Sequence, residues 1–207
     1  MSFATRHVRP GLIRLTAGLG FILLARATVT AQGPAPRGPA PARPPIVVLR
    51  ESALQLRGPL PRTSPPPWRD TAANALVFRS RQVAVTVLGG PAGRMLSFRI
   101  AGLTNPTLVV PTGARVTVTF VNVDDDMDHN FAITTMPPPF ARVPAAGTIV
   151  GTPEIPPGPA DRRSGEVLVF RAVRAGHFFY LCTVAGHARG GMWGRLEIRR
   201  KGDPGPR

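Results

Sequence analysis

The stretch "YLCTVAGHARGGMWG", Tyr180 to Gly194, carries the only cysteine of a 207-residue chain, and small and flexible residues separate its three donor groups. Cys182 is followed five positions on by His187, and Met192 comes five positions after that. A thiolate, an imidazole and a thioether have one chemistry in common, which is metal binding. Sulfur donors are soft and suit Cu(I), while imidazole accepts copper in either oxidation state. Zinc has no use for the thioether.

A second imidazole is needed to complete a mononuclear set. The chain has four histidines, and His7 lies in the N-terminal stretch. His129 follows "VNVDDDMD" and is expected to begin a strand; His177 lies on the strand that delivers Cys182. Alternation along that strand puts Phe178 and Tyr180 on the face of Cys182 and turns His177 the other way, toward the surface. The set is therefore His129, Cys182, His187 and Met192. Two imidazoles and a thiolate in a trigonal plane, with a weak axial methionine, form the pattern of a blue-copper electron-transfer site. His129 must come from a different strand, so one copper ion would join the two halves of the fold.

Taken singly, each residue has a plainer explanation. A lone methionine is more often core filling, and a lone buried cysteine is usually an inert small hydrophobe. The spacing Cys-x4-His-x4-Met, with an upstream His-Asn, argues for the four together. An enzyme is disfavoured. A copper nitrite reductase or multicopper oxidase needs further histidines, and only His177 is left; a dinuclear copper centre needs two cysteines. A thiol hydrolase using Cys182 with a histidine base would leave Met192 and the Gly-rich turn without a role. The remaining alternative is a copper-binding or delivery protein without a redox task. Such proteins offer Met-rich and His-rich surfaces, whereas the five methionines here form no cluster.

The elements that must position these residues read as short strands. "VAVTV" (Val83–Val87), "RVTVTF" (Arg115–Phe120) and "GRLEIR" (Gly194–Arg199) alternate apolar with polar or small residues, which places one set of side chains in a core. Further strands are expected over 76–79, 95–100, 107–110, 130–134, 166–171 and 177–181, punctuated by Gly and Pro. No amphipathic helix is expected. The pattern predicts an all-β, antiparallel Greek-key sandwich over residues 70–200, with 201–207 a disordered tail. In this frame a strand ends at Cys182 and a loop turns through Ala185-Gly186 to present His187. Gly190-Gly191 then lets Met192 return beneath the metal. The Pro-rich segment 136–165 reads as a surface loop.

Residues 32–67 hold 11 of the 25 prolines, interspersed with arginines. Proline fixes φ and lacks an amide donor, so 32–69 is expected to be a disordered, extended linker without a core of its own. Residues 1–31 read as an export signal: Arg6, Arg9 and Arg14, an apolar run from Leu15 to Ala25, and Val29-Thr30-Ala31 before Gln32. Eleven apolar residues are short of the roughly 20 that cross a bilayer. No membrane span is expected in the mature chain; an uncleaved signal would be a tether. Export to the periplasm or an equivalent space makes an odd cysteine informative, because exported proteins normally use cysteines in pairs. Removing residues 1–31 takes away four arginines and leaves 22 Lys+Arg against 11 Asp+Glu, a charge near +11. No nucleic-acid-binding pattern accompanies that charge, and export argues against such a partner. Attraction to acidic partners is the better reading.

The chain resembles a cupredoxin, most closely the rusticyanin and sulfocyanin branch. The resemblance lies in "NPTLVVPTGARVTVTFVNV" (105–123), "DHNFAIT" (128–134), "IVGT" (149–152) and most specifically "AGHFFYLCTVAGHARGGMWGRLEI" (175–198). It implies one type 1 copper, with His129, Cys182 and His187 equatorial and Met192 axial. It also implies that Asn130 ties its loop to the cysteine loop, here at Thr183. The function implied is that of a single-electron carrier, with a c-type cytochrome or terminal oxidase as partner. Arg189, at the rim of His187, is the expected docking charge. The acidic run 124–128 has no counterpart in this resemblance; negative charge near the metal would favour Cu(II) and lower the potential, but a solvated turn is the expected reading.

Overall fold

The computed structural model describes residues 44–142, 147–200 and 202–203, so the export-signal reading and nearly all of the tail fall outside the described residues. The described residues form strands and no helix. One sheet has six strands in the order β1 (Ile46–Leu56), β11 (Arg163–Ala172), β8 (Arg115–Asn122), β4 (Gln82–Gly89), β5 (Phe98–Ile100) and β6 (Leu103–Thr104). The other has seven in the order β10 (Thr148–Gly151), β9 (Ala132–Thr134), β12 (Gly176–Leu181), β13 (Trp193–Arg199), β7 (Thr107–Pro111), β3 (Ala75–Val77) and β2 (Trp68–Asp70).

Alternation sets the faces. In β8, Val116, Val118 and Phe120 are buried while Thr117 and Thr119 are half-buried, and the register opposes Val118 to Leu168 of β11. The inner faces of both sheets close on one core, with Val85, Val87 and Leu168 from the first and Leu108, Ile133, Leu196 and Ile198 from the second. The pairing is not wholly antiparallel. β4 runs parallel to β8, and β7 runs parallel to both β3 and β13. The cause is in the connections. β3 crosses to β4 in the other sheet, and β7 crosses to β8 in the same way. The two crossings lie side by side, so both members of each layer point in one direction.

The stretch expected to be a linker enters the sandwich. Strand β1 pairs along β11 from Ile46↔Ala172 to Leu56↔Arg163, and Ser64 bridges Ala84 with two backbone bonds of 2.7 Å. Prolines sit at 44–45 and again from 59 onward, and the residues between them are proline-free, so every amide there can donate to a ladder. The segment 136–165 is also more than a surface loop. It contains β10, and its Phe140 is buried against Phe179 and Trp193, with ring centroids at 6.2 and 5.6 Å.

Candidate metal centre

The ligand loop starts where β12 stops. Tyr180 is fully buried, stacks on Phe131 at 5.5 Å and donates its hydroxyl to Pro106 O at 2.6 Å, which anchors the end of the strand. Cys182 follows, also fully buried, and the chain turns through 183–191 before β13. Backbone bonds close the loop: Cys182 N–H to Met192 O at 3.1 Å, Met192 N–H to His187 O at 3.0 Å, and Gly190 N–H to Gly186 O at 2.8 Å. Gly191 lies at φ 108°, a left-handed conformation that only glycine adopts without strain, and its carbonyl accepts from Asn105 Nδ2 at 2.9 Å. Asn105 thus fixes the loop from a neighbouring strand connection, a role that its sequence neighbourhood does not advertise.

His129 arrives from the crossing between β8 and β9. It does not begin a strand, because β9 starts at Ala132. His129 instead forms an isolated bridge to Ile155, with bonds of 3.1 and 2.8 Å. The next amide, Asn130 N–H, is turned toward Cys182 Sγ at 3.5 Å and so is lost to any ladder. Strands β9 and β12 are direct neighbours, with Leu181 opposite Ala132. His129 and Cys182 therefore meet at one end of one sheet, and no joining of opposite halves is required.

Three donor atoms converge. His129 Nδ1 lies 3.2 Å from His187 Nδ1, and Cys182 Sγ lies 3.5 Å from His187 Nδ1 and 4.0 Å from His129 Nδ1. Bonds of about 2.0–2.3 Å at tetrahedral to trigonal angles set the donors of a first-row metal ion about 3.3–4.0 Å apart, so the three atoms lie close to the spacing that one ion requires. All three residues are buried. Met192 is fully buried in the same core cluster as Cys182. Its backbone bonds to Cys182 and His187 tie it to the same loop.

Burial favours the neutral forms of Cys182 and His187 in the metal-free protein. Burial pushes the Cys182 thiol up to about 11, against the partial opposition of the Asn130 and Val184 amides. Burial, and then the neighbouring His129, lower the pKa of His187, so its imidazole stays free to bind a metal to lower pH than usual. Asn130 and Thr183 lie beside the cluster. Asn130 Nδ2 donates to Thr183 Oγ1 at 2.6 Å, and Thr183 N–H donates to Asn130 Oδ1 at 2.7 Å. Arg189 is exposed on the loop, and His177 points outward with its side chain 83 % exposed.

The acidic run is not simply a solvated turn. Asp125, Asp126 and Asp128 are exposed, but Asp124 is buried and its Oδ2 lies 3.0 Å from His129 Nε2. Burial pushes its carboxyl up, yet the bonds from His129 and Asp126 outweigh this and leave it at about 2. Phe120, Asn122 and Asp124 are alternate residues, all buried. The inward parity of β8 therefore carried a signal that the density of charge concealed.

A two-sheet sandwich that ends in this buried His-Cys-His cluster, beside a buried methionine, is a cupredoxin, and its donor set is that of a type 1 copper protein. The sulfocyanin (SoxE) domain matches residues 72–201, more than half of the chain, and the chain belongs to that family. Rusticyanin of Acidithiobacillus ferrooxidans is 37% identical over 117 residues, which are 56% of this chain and 62% of that protein. Rusticyanin of Acidithiobacillus ferridurans gives the same values. The matched segment thus spans under two thirds of those relatives. The 1.27 Å structure of rusticyanin from Thiobacillus ferrooxidans superposes with a TM-score of 0.62 at 26% identity, covering 73% of this chain and 99% of that one. A reduced rusticyanin superposes at 0.61 with 26% identity, over 72% of this chain and 100% of that one.

Proposed function

We propose that the protein is an exported mononuclear blue-copper electron carrier, in which His129, Cys182 and His187 would be the main ligands of the metal and the Met192 thioether a weaker fourth. The observation that carries this reading is the convergence of the two Nδ1 atoms and Sγ of three buried residues within 4.8 Å of one another. Bound copper supplies one-electron chemistry, alternating between Cu(II) and Cu(I). The chain's part is to hold the ligand atoms still. The loop bonds from Cys182 to Met192 and from Met192 to His187, with the Asn130–Thr183 pair, restrain ligand movement between the two oxidation states. Binding displaces the thiol proton from Cys182, because the thiolate is the ligand.

His187 is the ligand nearest solvent. It is 9% exposed, against 0% for His129, Cys182 and Met192. Exposed Ala185 and Arg189 flank it, and Leu96 packs over Gly190. A redox partner such as a c-type cytochrome or a terminal oxidase would dock an acidic or mixed surface here. Export rests on residues 1–31, which fall outside the described residues. Among the described residues, no helix is long and apolar enough to cross a membrane.

The test is the visible and EPR spectrum of metal-free protein loaded with Cu(II). The expected result is an intense sulfur-to-copper band that bleaches on reduction and is absent from a folded Cys182→Ser variant. Retention of the colour in that variant sinks the thiolate assignment.

A further inference from the structure

We propose that Asp124 is a positioning residue of the copper centre, accepting a hydrogen bond from His129 Nε2–H and placing a fixed negative charge that lowers the reduction potential. The inference rests on the copper reading above and adds to it a residue outside the ligand set.

The geometry has three parts. His129 offers its Nδ1 to the donor cluster, 3.2 Å from His187 Nδ1, so its Nε2 is the remaining ring nitrogen. Asp124 Oδ2 lies 3.0 Å from that Nε2, and both side chains have no solvent exposure. A carboxylate only accepts, so the proton must sit on Nε2 and the lone pair on Nδ1. The bond thereby fixes the tautomer that a metal ligand needs, as outer carboxylates do at metal-bound histidines.

The space for this pair is built into the neighbouring strand end. Gly90 follows β4, and a Cβ there would lie 2.5 Å from His129 Nε2 and 2.6 Å from Asp124 Oδ2. The carboxylate is held from its other side as well, since Oδ1 accepts from Asp126 N–H at 3.1 Å. Arg163 reaches the Asp124 main-chain carbonyl at 3.1 Å. Among the described residues no lysine or arginine forms an ion pair with the carboxylate. A buried charge is poorly screened, and a negative one beside the ligand favours the more positive oxidation state. That state is Cu(II).

Asp124→Asn separates charge from tautomer. Its Oδ1 still accepts from His129, at the cost of the bond from the exposed Asp126 amide. Two measurements decide. In metal-free wild-type protein, nitrogen–proton NMR of the His129 ring is expected to show a slowly exchanging proton on Nε2; a proton on Nδ1 overturns the positioning role without any variant. In copper-loaded Asp124→Asn, the Cu(I):Cu(II) ratio at a fixed solution potential is expected to rise at least tenfold, which is about 59 mV for one electron. A smaller change, or a change in the other direction, overturns the role of the charge. Failure of the copper reading would show separately, as a wild-type protein with no sulfur-to-copper band.

Discussion

Asn130 and Thr183 are bonded in both directions, side chain to side chain at 2.6 Å and backbone to side chain at 2.7 Å. They lie 53 residues apart, and each is the immediate neighbour of a metal-binding candidate, His129 or Cys182. The pair therefore sets the distance between the two loops before any metal enters. Each bond is partly shielded from water, so losing both leaves polar groups without partners.

Asn130→Ala is expected to destabilise the metal-free domain by about 1–3 kcal/mol and to weaken copper binding about 10–100-fold. Thr183→Val, which keeps the backbone donor, should cost less on both counts. Denaturant titration of the metal-free proteins and competition for copper against a chelator check the order. Equal losses in the two variants would mean that the backbone bond contributes nothing.

Met192 is fully buried, and leucine has nearly its volume. Met192→Leu should therefore keep the fold and the copper. An axial thioether tunes the potential rather than holding the metal, so removing it is expected to raise the potential, while Met192→Gln lowers it. Voltammetry of the two variants checks this. Complete loss of copper from the leucine variant would show that Met192 does more than tune.

The Cys182 thiol gives a pH signature in the metal-free protein. Folding raises it from an ordinary value of 9.0 to about 11. Between those values the unfolded chain has released a proton that the folded chain retains, so stability falls as pH rises. The contribution is fully present below pH 9 and gone above about pH 11, and amounts to about 3 kcal/mol. Buried Tyr180 is shifted upward too and adds a loss in the same direction above pH 10. The expected result is a fall in stability from pH 9 that is smaller in Cys182→Ala, measured by urea unfolding. Few other groups interfere, since Lys201 is the only lysine. A slope identical in both proteins would show that the thiol is not buried as described.

What the sequence makes legible here is what is local. Cys182, His187 and Met192 share one strand–loop–strand segment, so their spacing alone encodes how they meet. The alternation of β8 and β12 is equally local, and it assigns Phe120 and Tyr180 to the core and His177 to solvent. Strand β1 is illegible for a different reason. Its residues are proline-free, but the prolines on either side dominate the composition of any window drawn around them. The parallel pairing of β4 with β8 depends on two crossings more than 30 residues apart, and no local pattern records which strands become neighbours. Asp124 combines both problems. It stands among exposed aspartates, and its partner His129 has a second assignment on the other edge of its ring.

The docking face can be tested through charge. His187 is the most exposed of the four proposed ligands, and Arg189 stands two residues beyond it on the surface. The segment reaching Arg142 also touches this loop, since Gly186 N–H donates to Arg142 O at 2.7 Å. An acidic partner would be steered toward this rim, and such steering is screened over a Debye length of about 10 Å at 0.1 M salt. Arg189→Glu is expected to slow bimolecular electron transfer with an acidic partner about tenfold at low salt and to flatten its salt dependence. The visible spectrum should stay unchanged, because Arg189 is exposed and is not one of the proposed ligands. Stopped-flow mixing of reduced protein with an oxidised c-type cytochrome, across a series of salt concentrations, gives both readings. A rate unaltered at low salt would move the docking face off this rim, and the adjacent segment 136–142 would be the next surface to reverse in charge.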